Sequence, residues 1–201
     1  MKWFLQLEGG QLVLHVLIIA SAILGFYSYT RLAEDALPIV SDPTISEIIT
    51  FTLPDLEGNL HHLSDWDGKA RIVNFWATWC APCRREIPLL KNVQAKYAES
   101  NLQVIGVAVD FLEEVVEYAE IAEFNYPILI GQEDAIAAVE AMGINFIGMP
   151  FTMMISPDGY LIKIHIGELI KEHIELIVEV FDQMQNAELN LEGARSALQG
   201  M

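Results

Sequence analysis

Residues 74–88 read NFWATWCAPCRREIP. They begin inside a β-prone apolar run, 71–76, that is typical of a buried central strand. Helical periodicity follows over 81–98. Pro82 falls in the first helical turn, where a missing N–H is harmless. The sequence therefore predicts a strand-to-helix junction with a Cys-x-x-Cys pair at the start of the helix.

The chemistry of this pair follows from its place at a helix N-terminus. Free N–H groups and the positive end of the helix dipole stabilise a thiolate there, and the thiolate is the form that attacks a disulfide. Cys83 lies one turn after Cys80 and within bridging reach of it. We expect a reversible dithiol–disulfide couple, with Cys80 exposed at the helix tip as the nucleophile. Cys83 would be the more buried, resolving thiol.

Two other interpretations of the pair stay open at this stage. The chain has only two cysteines, so a zinc site would be half complete and a four-cysteine iron–sulfur site is excluded. A structural disulfide that closes so small a loop would add little stability. The histidines of the body do not stand at a metal-ligand spacing from the cysteines. We therefore predict no metal site.

Periodicity elsewhere predicts an alternation of strands and helices. A strand is expected at 102–109 and a hairpin at 151–155 and 160–166, with helices at 112–124, 134–142 and 168–184. This order favours an α/β fold with a mixed central sheet. The net charge of −17 makes binding to nucleic acid a poor hypothesis.

The N-terminal part carries an apolar run, residues 12–29, that has no formal charge. Its eighteen residues would span about 27 Å as a helix, close to the thickness of a bilayer core. We predict one transmembrane helix. A signal peptide cleaved near 20–22, where small residues resemble a cleavage site, is the main alternative, and a buried helix is another. The flanking charges barely favour a cytoplasmic N-terminus.

These patterns divide the chain into four parts. We expect a membrane anchor at 1–31, a linker with two prolines at 32–45, a folded domain at 46–184 and a polar C-terminal tail at 185–201.

Residues 75–83 resemble the active-site segment of the thioredoxin superfamily. Residues 84–88 are similar to its membrane-anchored TlpA/ResA/CcmG-like branch. Farther on, GMPFT at 148–152 and SPDG at 156–159 resemble the cis-proline loop and the hairpin that follows it. The resemblance covers roughly residues 45–181. It implies a thioredoxin-like three-layer α/β fold with a mixed sheet.

The resemblance also implies roles for single residues. Pro150 matches the cis-proline, Met149 would pair through its backbone with an extended substrate, and Trp79 would contact the substrate. Asn74 stands where thioredoxin has a buried, proton-transferring Asp. We therefore propose Glu86 as the group that transfers protons or tunes cysteine acidity. A solvated carboxylate favoured by the helix dipole is the alternative for Glu86.

The implied function is that of a thiol-disulfide oxidoreductase in the bacterial inner membrane, with its domain in the periplasm. It would act as a reductant of disulfide-containing proteins, with apocytochrome c as one candidate. It would receive electrons from a DsbD/CcdA-type membrane donor and use no cofactor beyond its own disulfide. The alternatives are an oxidase or isomerase of the same fold and a non-enzymatic, metallochaperone-like module. Copper chaperones of this fold use a longer CxxxC spacing.

Overall fold

The computed structural model describes residues 15, 17–23, 48–97, 99 and 101–201. The chain divides into two compact units, residues 1–44 and 45–201. In the first unit, residues 17–23 are helical. No helix in the described part of the chain is both long and apolar enough to cross a membrane. Most of the predicted span, 12–29, and the whole predicted linker, 32–45, lie outside the described residues.

The second unit begins with a small hairpin. Strands β1 (Thr52–Pro54) and β2 (Leu60–His62) pair antiparallel, and a short 3-10 helix (Leu63–Trp66) follows. The turn between the strands is organised by Asp55, whose carboxylate accepts hydrogen bonds from the backbone of Glu57 and Asn59. The hairpin covers one edge of the core through Leu53, which is buried.

The central sheet has five strands in the order β5-β4-β3-β6-β7. They are β3 (Ala70–Trp76), β4 (Leu102–Ala108), β5 (Ile128–Ile130), β6 (Phe151–Ile155) and β7 (Leu161–Ile166). The first three run parallel to one another, whereas β6 is antiparallel to β3 and β7 is antiparallel to β6. Strands β3 and β4 are buried along their whole lengths, as their continuous apolar runs indicate.

Five α-helices lie in the described part of this unit. They are α1 (Ala81–Tyr97), α2 (Leu112–Ala122), α3 (Gln132–Glu140), α4 (Lys171–Gln185) and α5 (Leu191–Ala197). Alternate side chains of β3 enter two apolar clusters: Ile72 and Trp76 join α1, α2, α4 and α5, and Val73 and Phe75 join α3. Helices therefore cover both faces of the sheet, which gives the predicted three-layer, thioredoxin-like α/β arrangement with a mixed sheet.

The last seventeen residues contribute to the same core. Helix α5 lies in the stretch predicted as a polar tail, and both Ala194 and Leu198 are fully buried. The guanidinium of Arg195 donates to the carbonyl oxygen of Leu161 at 2.9 Å, which ties α5 to β7. The apolar core thus continues beyond residue 184, where the sequence predicts the end of the domain.

Candidate active site

The two cysteines lie at the junction between β3 and α1, where the sequence places them. They form a disulfide with their Cα atoms 5.3 Å apart. The backbone N–H of Cys80 donates to the carbonyl oxygen of Ala77 at 3.1 Å, which closes a tight turn before the helix. The N–H of Cys83 points at the sulfur of Cys80, at 3.3 Å. A free helix N–H is therefore available to stabilise a thiolate on Cys80.

The exposure of Cys80 differs from the prediction. Only 5% of Cys80 is exposed, whereas Cys83 is fully buried. Cys80 is more exposed than Cys83, as predicted. The prediction that Cys80 is exposed at the helix tip is wrong for the oxidised pair. The sulfur of Cys80 is drawn towards the core because it is bonded to the buried sulfur of Cys83. The neighbouring Trp79 is 68% exposed and presents an apolar surface beside the disulfide.

A second loop lies against the same cluster as the cysteines. The Met149–Pro150 peptide bond is cis, as the resemblance implies. Pro150 is buried, its carbonyl oxygen accepts from the N–H of Gly167 at 2.8 Å, and Met149 packs against the apolar cluster that contains both cysteines. The preceding Gly148 has φ +153°, a conformation that L side chains rarely adopt. The substrate-binding roles of Trp79, Met149 and Pro150 stay predictions.

Glu86 is buried inside this site, with 1% of its surface exposed. One carboxylate oxygen accepts from the side-chain amide of Asn74 and the other from the backbone N–H of Leu169, each at 2.7 Å. Asn74 also donates to the hydroxyl oxygen of Thr152 at 3.0 Å. The alternative of a solvated carboxylate is therefore wrong, because Glu86 is buried and both of its carboxylate oxygens accept hydrogen bonds from the protein.

Burial changes the acidity of Glu86. Removal from water raises its pKa from the ordinary 4.5 to about 7, against the opposing effect of the hydrogen bonds from Leu169 and Asn74. The negative charge of Glu168 adds to the rise. Glu86 follows Cys83 by three residues on α1, so the two side chains lie on one helix face. A carboxyl group that can gain or lose a proton near neutral pH thus lies one turn from the buried sulfur.

The loop that holds Leu169 is itself tied to α1. Arg85 donates from Nε and Nη2 to the carboxylate of Glu168, and the distances lie between 2.5 and 3.1 Å. The pair lies towards the solvent, since 60% of the Arg85 side chain is exposed. Arg85 directly precedes Glu86 and Glu168 directly precedes Leu169, so the ion pair lies next to the buried Glu86–Leu169 hydrogen bond.

Three residues near the site were not predicted from the sequence: Thr152, Leu169 and Asp110. Asp110 is 6% exposed and accepts from the N–H of Thr78 at 2.8 Å and from its hydroxyl at 2.6 Å. A signal for Asp110 was present, because it lies two residues after β4, a buried strand parallel to the one that precedes the cysteines. The carboxyl ends of parallel strands meet at one edge of a sheet. Thr152 and Leu169 carry no comparable local pattern.

The arrangement is suited to sulfur chemistry. Within the described residues, no three His, Cys, Asp or Glu side chains lie together as metal ligands would. The absence of a cofactor stays a prediction. The groups that the site does present are a disulfide, a helix N–H aimed at the sulfur of Cys80 and a buried carboxyl group one helical turn after Cys83.

Comparisons with known proteins agree with this chemistry. Residues 45–164 match the model of the AhpC/TSA family. Thiol-disulfide oxidoreductase ResA of Geobacillus kaustophilus is 31% identical over 165 residues, which cover 82% of this chain and 91% of that protein. ResA of Geobacillus thermodenitrificans is 32% identical over the same shares of both chains.

A solved structure supports the same conclusion. The thiol:disulfide interchange protein of the thioredoxin family from Chlorobium tepidum superposes with a TM-score of 0.59 at 30% identity, over 66% of this chain and 92% of that one. Sequence, fold and site agree. The chain belongs to the AhpC/TSA family of thioredoxin-like proteins, and it is a thiol-disulfide oxidoreductase similar to ResA.

Proposed function

We propose that this protein is a membrane-anchored reductant that opens disulfides in exported proteins. The observation that carries the proposal is the Cys80–Cys83 disulfide at the start of α1, with the N–H of Cys83 directed at the sulfur of Cys80. That geometry favours a thiolate on Cys80 once the pair is reduced.

The reaction begins with the reduced pair. The Cys80 thiolate attacks one sulfur of the substrate disulfide, which forms a mixed disulfide and expels the other substrate sulfur as a thiolate. The Cys83 sulfur, after losing its proton, attacks Cys80, which forms the Cys80–Cys83 disulfide and expels the second substrate thiolate. Two electrons pass from the cysteine pair to the substrate, and the two substrate thiolates take up the proton released by Cys83 and one proton from water.

Glu86 serves the second step. The Cys83 sulfur is fully buried in the disulfide. Once the pair is reduced, the Cys83 thiol needs an acceptor for its proton before it can attack. The carboxylate of Glu86 lies one helical turn away, and its pKa of about 7 allows it to accept a proton and release it again near neutral pH. The amide of Asn74, which holds Glu86 in place, cannot titrate.

The proposed location rests on the sequence and on the chemistry. The uncharged apolar run at 12–29 has the length of a membrane span. A protein that reduces disulfides outside the cytosol works where disulfides form, which in bacteria is the periplasmic side of the inner membrane. There the pair would be re-reduced by a membrane donor of the DsbD/CcdA type. Apocytochrome c, whose haem-binding cysteines must be reduced, is one proposed substrate.

The direction of electron flow is tested by the reduction potential of the Cys80–Cys83 couple, measured on the full chain by equilibration with dithiothreitol or glutathione. A value near that of thioredoxin, about −270 mV, supports a reductant. A value near about −120 mV makes the protein an oxidant and contradicts the proposed direction.

The activity and the location need separate experiments. Reduction of insulin by the full chain with dithiothreitol as donor should be lost in Cys80→Ser and in Cys83→Ser, and an active Cys80→Ser chain would contradict the mechanism. Tight metal binding without disulfide reduction would support the metallochaperone-like alternative. Protease added to intact spheroplasts should digest the domain, and full protection would contradict the periplasmic location.

A further inference from the structure

Asp110 holds two pieces of backbone beside the disulfide. One of its carboxylate oxygens accepts from the N–H and the hydroxyl of Thr78, at 2.8 and 2.6 Å. The other accepts from the N–H of Phe111 at 2.9 Å. Asp110 is buried, with 6% of its surface exposed. These contacts form what we call the Asp110 clamp: Asp110, Thr78 and the N–H of Phe111.

The clamp grips the turn that presents the nucleophile. Thr78 is the second residue of the turn that the Cys80 N–H closes on the carbonyl oxygen of Ala77. Trp79 follows Thr78, and helix α1 begins directly after Cys80. At the other side of the carboxylate, Phe111 caps the start of α2. Asp110 therefore links the segment between β3 and α1 to the segment between β4 and α2.

We propose that Asp110 is a positioning residue that sets the reactivity of Cys80 by fixing the Ala77–Cys80 turn over the start of α1. This inference rests on the proposed disulfide reduction and adds to it a group that touches neither sulfur nor substrate. The stabilising effect of a helix N-terminus falls off within one turn. Small movements of Cys80 relative to the Cys83 N–H therefore change how much thiolate forms at a given pH.

The burial of the clamp supports a positioning role. A buried carboxylate is costly unless it is fully hydrogen-bonded, and Asp110 accepts three hydrogen bonds. Hydrogen bonds to a charged group are stronger than those between neutral groups. The hydrogen bonds from Thr78 to Asp110 therefore hold the turn more rigidly than the hydrogen bond between Cys80 and Ala77 would alone.

The substitution Thr78→Val separates position from charge. Valine has nearly the shape of threonine but lacks the hydroxyl donor, so one clamp contact is lost while Asp110 itself is not substituted. Among the described residues, the titratable and charged groups of this site include Arg84, Arg85 and Glu86 of α1, Asp110 after β4, Tyr118 of α2, Tyr126 before β5 and Glu168 before α4. Thr78→Val changes none of them. Thr78→Ser keeps the hydroxyl and serves as the rescue variant.

The experiment measures the pH profile of Cys80 alkylation by iodoacetamide. It is done on the full chain in a Cys83→Ser background, where Cys80 is the only thiol. We expect Thr78→Val to move the midpoint of the profile to higher pH and to slow alkylation at pH 7 several-fold. The Thr78→Ser chain should show the same pH profile as the chain that keeps Thr78. Thr50→Val is the matched control, because Thr50 makes one side-chain contact, with His62, in the distant hairpin.

Several outcomes would overturn the proposal. One is a Thr78→Val profile that is unchanged while the chain merely becomes easier to unfold. Another is a profile that moves equally in Thr50→Val. A third is a shift to lower pH in Asp110→Asn with none in Thr78→Val, which would show that Asp110 acts by its charge. Failure of the unaltered chain to reduce insulin would instead refute the proposed function, because the alkylation profile needs no substrate.

Discussion

The side-chain amide of Asn74 donates a 2.7 Å hydrogen bond to the carboxylate of Glu86, and both side chains are almost completely buried. Asn74 lies in the central strand β3, whereas Glu86 lies in the helix that begins after the cysteines. The contact therefore joins the two elements that meet at the disulfide. Because the amide cannot titrate, Glu86 is the member of this pair that responds to pH.

The first prediction concerns the dependence of stability on pH. The pKa of Glu86 rises from 4.5 to about 7 on folding because the carboxylate is removed from water. The folded chain therefore binds more protons than the unfolded chain between these pH values. The resulting stabilisation is complete below pH 4.5 and is lost as the pH rises through 7, and it amounts to about 3 kcal/mol.

Urea unfolding of the full chain at several pH values between 4.5 and 8 checks this prediction. Glu86→Gln should flatten the decline in the free energy of unfolding over that interval. Glu175→Gln removes an exposed carboxylate from α4 and should keep the decline. An equally steep decline in Glu86→Gln and in the unaltered chain would show that Glu86 does not titrate in this range.

The second prediction concerns the reduced cysteines. Glu86→Gln removes the only buried carboxyl group that shares a helix face with Cys83 in α1. We expect the pH profile of thiol alkylation to change, and the rate of insulin reduction to fall most strongly near pH 7. The rate falls there because no carboxylate remains to take the proton of Cys83. An unchanged thiol profile in Glu86→Gln would contradict a role for Glu86 in proton transfer.

The third prediction concerns a fully buried cation at the opposite end of β3. Arg71 donates to the carbonyl oxygens of Leu63 and Ser156, each at 3.0 Å, and to the carboxylate of Asp67 at 2.8 Å. Arg71→Met leaves both carbonyl groups without this donor. It should lower the free energy of unfolding by about 3 kcal/mol.

The matched control is Arg85→Met, which breaks the exposed ion pair with Glu168 and should cost no more than about 1 kcal/mol. Both values come from chemical denaturation at one pH. If Arg71→Met is no more destabilising than Arg85→Met, the buried contacts of Arg71 do not stabilise the fold as described.

Local patterns explain why much of the fold could be predicted. The apolar run of β3 and the periodicity of α1 are properties of neighbouring residues, so the junction at Cys80 is visible in the sequence. The burial of Glu86 was visible in principle, because Glu86, Leu90 and Val93 share one helix face. A single carboxylate beside an apolar stripe is ambiguous, however, since long polar side chains at such an edge can also reach solvent.

The remaining parts of the site depend on tertiary structure. Thr152 meets Asn74 only because β6 pairs antiparallel with β3, 78 residues away in the chain. The Leu169 N–H reaches Glu86 across a separation of 83 residues. Sheet order determines such contacts, and periodicity does not encode sheet order. The cis bond before Pro150 was predicted only through the resemblance to the thioredoxin superfamily, because a family resemblance carries information about topology that local patterns lack.

The fourth prediction concerns the last residues of the chain. Leu198 is fully buried against the cluster that contains α1 and α4, although its surroundings in the sequence are polar. Leu198→Ala should leave a cavity and lower the free energy of unfolding by about 2–5 kcal/mol. Leu60→Ala, at a leucine of the hairpin that is mostly exposed, should change it by less than about 0.5 kcal/mol. Equal effects in urea unfolding would mean that 185–201 adds nothing to the core, whereas the expected difference makes α5 part of the folded domain.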